Sequence, residues 1–196
     1  MSFALSVTHP CNTIDDRFLP DDPIGRVRLR VAERIGNSGA VFDRRTGDGF
    51  IRCGDGHVRW GIFGAAGVVF VVREPDGPRV MLQKRSAMSH EGGTWSCAGG
   101  ALDQGELPYD GAIREAVEEV GEIPGDPIVL GEYVFNPSHD WAYTTVVVQV
   151  ERRFGSSLNF ETDDVGWFTV DEVDTLATHA GFDAAWPHLI PFVLAD

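Results

Sequence analysis

The stretch from residue 99 to residue 123, GGALDQGELPYDGAIREAVEEVGEI, decides how the rest of the chain is read. Pro108–Val120 predicts a helix, with Pro in its first turn and Gly121 just past its end. Glu115, Glu118 and Glu119 recur at i, i+3 and i+4, so their carboxylates fall within about a 100° arc. Ala112, Ile113, Ala116, Val117 and Val120 fall on the other side and predict the buried face. Arg114 stands four residues before Glu118, in reach of an ion pair. Carboxylates this close repel and raise one another's pKa unless a cation neutralises them. Hard oxygen donors of this kind suit Mg²⁺ or Mn²⁺. A solvated acidic helix face explains the same three residues as well. Gly99, Gly100 and Gly105 supply backbone freedom just before the helix, where a main-chain carbonyl can turn to a metal and phosphates can approach. Glu106 reads as a carboxylate satisfying free N–H groups at the helix start or contacting the loop.

Strand patterns lie on both sides of this helix. Gly67–Arg73 is a buried-strand run, and Arg79–Arg85 alternates as a second strand after a Pro-Asp-Gly-Pro turn. Residues 86–94 read as a polar loop. Trp95–Ala98 reads as a short strand that Gly99-Gly100 breaks. Ile128–Phe135, Tyr143–Val150 and Val165–Val170 are β-rich, and helical patterns follow around 170–177 and 183–194. Strands mixed with two or three helices predict an α/β or α+β sandwich and not a strict βαβ repeat. Residues 1–60 form an extension: irregular to about residue 25, then short strands or hairpins around Gly and Asp pairs. Residues 61–196 form the main domain.

Composition limits the function classes. The chain of 196 residues carries 30 acidic and 16 basic residues, a formal charge of −14. That sign opposes duplex nucleic-acid binding by phosphate neutralisation. Arg26, Arg28 and Arg30 alternate, which in a strand puts them on one side, yet a solvated edge strand accounts for them with Arg34. Cys11, Cys53 and Cys97 are odd in number and far apart, so they read as reduced thiols. The most apolar run, residues 61–72, is shorter than the roughly 20 residues that cross a bilayer. With no leader-like N-terminus, the expected location is cytoplasmic. An exposed β-rich N-terminal segment is compatible with a homodimer.

Gly100, five residues, Glu106, seven residues and then REAVEEVG over 114–121 resembles the Nudix box, G-x5-E-x7-R-E-U-x-E-E-x-G-U with U a bulky aliphatic residue. Every fixed polar and glycine position is matched. Ala116 is a small occupant of the first U position, and Glu122 stands at the last, with Ile123 one place later. The lead-in Gly93–Gly100 resembles W-x-x-P-G-G with Ala98 in place of Pro.

The resemblance implies a Nudix-type α/β/α sandwich with a mixed β-sheet. The activity it implies is metal-dependent hydrolysis of a diphosphate linkage in a nucleoside diphosphate joined to another group, a small-molecule nucleotide substrate. Glu115, Glu118 and Glu119 become metal ligands, with the Gly99 carbonyl or its neighbour as a further one. Arg114 orients the glutamates, and Glu106 supports the loop. Mg²⁺ is the implied ion, with Mn²⁺ as its alternative. In several members of the family a Glu outside the box, before a late strand, ligates metal or activates water. Glu161 is the candidate here, with Asp163, Asp164 and Glu115 as rivals and a solvated acidic turn as the alternative. Arg85, at a strand end, is a candidate phosphate contact or an ordinary surface cation. The loop 136–141 carries Trp141 as a candidate substrate contact; Trp95, Phe135 and Tyr143 can stack on a base or pack in the core. Two other classes stay open. One is a Nudix-fold module that binds a nucleotide without turnover; the other is an isomerase of the same fold, in which Cys97 would serve. ADP-ribose, a dinucleoside polyphosphate, an oxidised nucleoside triphosphate, a nucleotide sugar and capped RNA are all open as substrates.

Overall fold

The ten residues Ala65–Glu74, AAGVVFVVRE, make the central strand β3 because both of its faces are covered. Val68, Phe70 and Val72 face one apolar layer and Val69 and Val71 the other, all at 0–4% exposure. The structure, a computed structural model, describes residues 45–87, 91–156 and 160–195. The arginines at 26, 28, 30 and 34 and the expectations for residues 1–44 lie outside the described residues.

Before β3 come β1 (Phe50–Arg52) and β2 (Val58–Trp60), an antiparallel hairpin. After it come β4 (Gly77–Arg85), β5 (Trp95–Ser96), β6 (Ala98–Ala101), α1 (Pro108–Val120), β7 (Ile128–Ser138), β8 (Trp141–Val150), β9 (Thr162–Phe168), α2 (Val170–Val173) and α3 (Ala180–Leu194). The main sheet runs β5-β4-β3-β8-β7, with β6 also on β3 and β9 also on β4. It is mixed: β3 and β8 are parallel, and the other pairs are antiparallel. α1 closes one apolar layer through Ala112, Ala116 and Val120. α3 closes the other through Phe182, Ala185, Trp186, Leu189 and Val193. The result is an α/β/α sandwich.

Four sequence expectations are corrected. Gly99-Gly100 does not break a strand but continues as β6 against β3. These glycines serve close approach: a Cβ on Gly99 would stand 2.3 Å from the Ala66 carbonyl oxygen, and one on Gly100 would stand 2.5 Å from the Glu115 carboxylate. Val117 is 38% exposed although its helical position predicts burial, because α1 meets the sheet through Ala112, Ala116 and Val120, and Val117 falls outside that stripe. The helix expected around 170–177 ends after one turn at Val173, whose N-cap Thr169 and Glu172 form a capping box. The late strand begins at Thr162 and ends at Phe168, and Val170 opens α2 instead.

The hairpin is tied to the β7–β8 connection. The backbone N–H of Gly54 donates to the Asp140 carboxylate at 3.0 and 3.1 Å. Trp141 Nε1 donates to the carbonyls of Trp60 and Gly61, and the Arg59 guanidinium lies over its ring. Residues 45–49 run along the loop that follows β6: Gly47 N–H donates to Asp103, and Gln104 N–H donates to the Arg45 carbonyl. No helix among the described residues is long and apolar enough to cross a membrane.

Candidate active site

α1 stands on β6 because both surfaces are small. Ala112 and Ala116 pack in one layer with Ala66 and Ala98, Gly111 lies against Leu102, and Gly100 leaves room for the Glu115 carboxylate. The helix starts with Pro108, whose missing N–H is one of the free donors of the first turn anyway. It stops at Gly121, at a φ of 104° that glycine alone tolerates easily. This fixes the height at which each glutamate leaves the helix.

The three carboxylates have different surroundings. Glu119 is 6% exposed. Its Oε2 accepts from the Gly99 backbone N–H at 2.9 Å and from Gln83 Nε2 at 2.8 Å. Burial pushes its pKa up to about 7, opposed by those two hydrogen bonds and assisted by the charges of Glu115 and Glu161. Glu115 is partly buried; burial raises its pKa, the bond from Arg114 opposes this, and the charges of Glu118 and Asp48 add to the rise. Glu118 is exposed, with its Oε1 3.9 Å from Arg114 Nη1. Among the described residues no three acidic, His or Cys side chains converge as a finished metal cage. Glu115 pairs with Arg114 and Glu119 with Gln83.

Arg114 holds the arrangement from the outside. Nε and Nη2 donate to the two Glu106 oxygens, Nη1 donates to Glu115 at 2.6 Å, and Nη2 also donates to the Ala101 carbonyl. Glu106 in turn accepts from the Asp103 N–H, so it belongs to the loop and not to the helix cap. Leu107 is the N-cap residue, and it makes no side-chain cap.

Glu161 precedes β9 directly, and its carbonyl accepts from the Ser86 N–H. Its charge acts on Glu119, which brings a side chain distant in sequence into the electrostatics of the box. Two of its rivals accept backbone hydrogen bonds: Asp163 from the Ala87 N–H across to the loop after β4, and Asp164 from the adjacent Val165 N–H. Arg85 ends β4 where the 86–94 loop leaves, and its charge reaches the buried Tyr143 hydroxyl. Trp141 is engaged by the hairpin, with its N–H on two carbonyls and Arg59 against its ring. Cys97 is buried beside Tyr143, at 3.7 Å from its hydroxyl. Burial raises the thiol pKa, the opposite of what an activated nucleophile needs.

Sequence reasoning missed Gln83 and Thr162. Gln83 is a buried amide, and Thr162 Oγ1 donates to its Oε1 at 2.5 Å. The signal was available: in VMLQKR, Gln83 shares strand parity with Met81, which faces the α1 layer.

The NUDIX domain family model matches residues 64–189 of this chain. The chain belongs to the Nudix family. Among proteins similar to this Nudix chain is one from Mycobacterium tuberculosis (strain ATCC 25618 / H37Rv) named "Putative 8-oxo-dGTP diphosphatase 3". The two are 37% identical over 153 residues, 74% of this chain and 70% of that protein. The crystal structure of a Nudix hydrolase from M. smegmatis, RenU, matches with a TM-score of 0.63 at 33% identity, covering 74% of this chain and 94% of the other. A C. elegans Ap4A hydrolase in a binary complex matches with a TM-score of 0.54 at 18% identity, over 65% of this chain and 96% of the other, a likeness of fold alone.

Proposed function

We propose that this Nudix hydrolase cleaves a diphosphate linkage of a small nucleotide substrate by divalent-metal-dependent attack of water on phosphorus. The observation that carries the reading is the Glu119 carboxylate, 6% exposed and held on one oxygen by the Gly99 N–H and Gln83, on a helix that also carries Glu115 and Glu118. Such a cluster is unfavourable as it stands and favourable around a cation. The donors are carboxylate oxygens, the type that Mg²⁺ and Mn²⁺ take. Glu115, Glu118 and Glu119, with the Gly99 carbonyl, would hold the ion. When bound, it neutralises phosphate oxygens and lowers the pKa of water at the site.

The protein's own groups supply the rest. Arg114 keeps Glu115 aimed while it anchors the loop through Glu106. Glu161 accepts the proton of the attacking water, for which its charge coupling to Glu119 is the support. The water oxygen bonds to phosphorus, the bridging P–O bond breaks, and the electron pair leaves with the departing phosphate. Arg85 contacts a substrate phosphate from the end of β4.

The name of the M. tuberculosis relative makes an oxidised nucleoside triphosphate the first substrate class to test. The experiment is a hydrolysis screen over oxidised and ordinary nucleoside triphosphates, dinucleoside polyphosphates, ADP-ribose, nucleotide sugars and capped RNA, with Mg²⁺, Mn²⁺ or chelator. Product masses report both the substrate and the bond broken. Metal-dependent release of a nucleoside monophosphate from one class supports the reading. Silence across the panel with either metal removes it.

A further inference from the structure

We infer that Gln83 is a positioning residue for Glu119: it clamps one carboxylate oxygen so that the other faces the metal, and Thr162 anchors the far end of the clamp. The inference rests on the metal-dependent reading above. Glu119 Oε2 receives two donors, the Gly99 N–H at 2.9 Å and Gln83 Nε2 at 2.8 Å. That oxygen is committed to the protein, and Oε1 is the one left for a cation. Gln83 is 2% exposed, so its amide has few other partners to turn to.

An amide can present either its oxygen or its nitrogen, and only the nitrogen suits a carboxylate. The acceptors on one side remove the ambiguity: Nε2 donates to Glu119 Oε2 and lies 3.5 Å from the Cys97 carbonyl, and neither oxygen can donate in return. Thr162 holds the other end of the amide, its hydroxyl donating to Gln83 Oε1 at 2.5 Å. The three side chains come from three elements: β4, β9 and α1. Thr162 follows Glu161 directly, so the same chain links the strand next to the proposed base to the carboxylate proposed to hold the ion. A purely apolar residue would fill this position at less cost in polar burial. The clamp instead fixes a ligand that would otherwise rotate, and groups that orient metal ligands in this way typically contribute 10–100-fold in affinity or activity.

The test uses the full chain, metal-free, with Mn²⁺ binding followed by electron paramagnetic resonance and turnover measured in parallel on the substrate the screen identifies. Gln83→Met keeps the volume and removes the amide. It is expected to weaken Mn²⁺ binding by about tenfold or more. Nucleotide KM at saturating metal should change by less than about threefold, because the clamp touches no substrate. Thr162→Val leaves the amide but removes the bond that holds its oxygen, and should weaken Mn²⁺ in the same direction by a smaller factor. The double variant should bind Mn²⁺ about as well as Gln83→Met alone, since both changes break one chain. If Gln83→Met fails to fold, Thr162→Val carries the test alone: weakened Mn²⁺ with unchanged nucleotide KM supports the clamp, and wild-type Mn²⁺ affinity overturns it. Unchanged Mn²⁺ affinity in folded Gln83→Met overturns the Gln83 role and leaves the metal reading standing. Absence of Mn²⁺ binding by the wild-type chain overturns both.

Discussion

Arg114 and Glu106 meet as a two-bond fork, Nε to Oε1 at 3.0 Å and Nη2 to Oε2 at 2.8 Å. The Glu106 side chain is 4% exposed and that of Arg114 is 32% exposed, so the pair is sheltered on one side only. The fork joins the loop after β6 to the second turn of α1, and its remaining nitrogen reaches Glu115. Glu106→Gln keeps the shape and removes the charge. It should lower stability by about 1–3 kcal/mol in chemical denaturation. Arg114→Lys keeps a charge but cannot fork. It is expected to lose activity while Glu115 and Glu118 are still present, measured as kcat at saturating metal.

Stability of the metal-free protein should fall as pH rises toward neutrality. Glu119 has its pKa raised from 4.5 to about 7 by burial. Between those values the folded chain keeps a proton that the unfolded chain has lost. The stabilising contribution is therefore complete below about pH 4.5 and is lost as pH rises through about 7. Glu115, also raised, acts in the same direction. Thermal melts between about pH 5 and pH 8 in chelator should show this decline, and Glu119→Gln should flatten it. Added Mg²⁺ should raise Tm most at the upper end, where the carboxylate it binds is already ionised. A metal-free profile that rises over this interval contradicts the assignment.

Gly100→Ala separates folding from function. The new Cβ would stand 2.5 Å from the Glu115 carboxylate, the far end of a flexible side chain. The fold should survive, with Tm within a few degrees of wild type. Glu115 should be driven from its place, with activity falling about tenfold or more, as expected for a displaced metal ligand. Gly99→Ala is the harsher neighbour, because its Cβ would meet the backbone of Ala66 and Gly67. It should fail in expression or melt early.

Glu161→Gln should act on two observables. As the proposed base it lowers kcat by about 10²–10⁴-fold with little change in KM. Its charge also raises the Glu119 pKa, so its removal should shift the metal-free stability decline to lower pH. Loss of kcat without that shift would separate the proposed catalytic role from the electrostatic coupling.

The site was unevenly legible in the sequence. The bounds of α1 followed from Pro108, the apolar spacing and Gly121, all local signals. The spacing set Glu119 with Glu115 and Glu118 on a carboxylate face opposite the apolar one. Its burial was not legible there, because burial needs the sheet. Gly99-Gly100 was misread for the same reason: a Gly pair looks like a break until the Cα of Gly67 and the Ala66 carbonyl crowd it from the neighbouring strand. For Trp141, neither pattern nor spacing indicates that its N–H closes on Trp60 and Gly61, eighty residues away.

The sequence alone determined the family box, the helix and which of its residues bear carboxylates, because spacing along one helix fixes geometry at short range. Tertiary structure alone decided that Gln83 and Thr162 stand with Glu119. Gln83 lies on β4 and Thr162 on β9. Pairing between strands far apart in the chain is set by how the whole sheet buries its apolar faces, and no local window of residues contains that information.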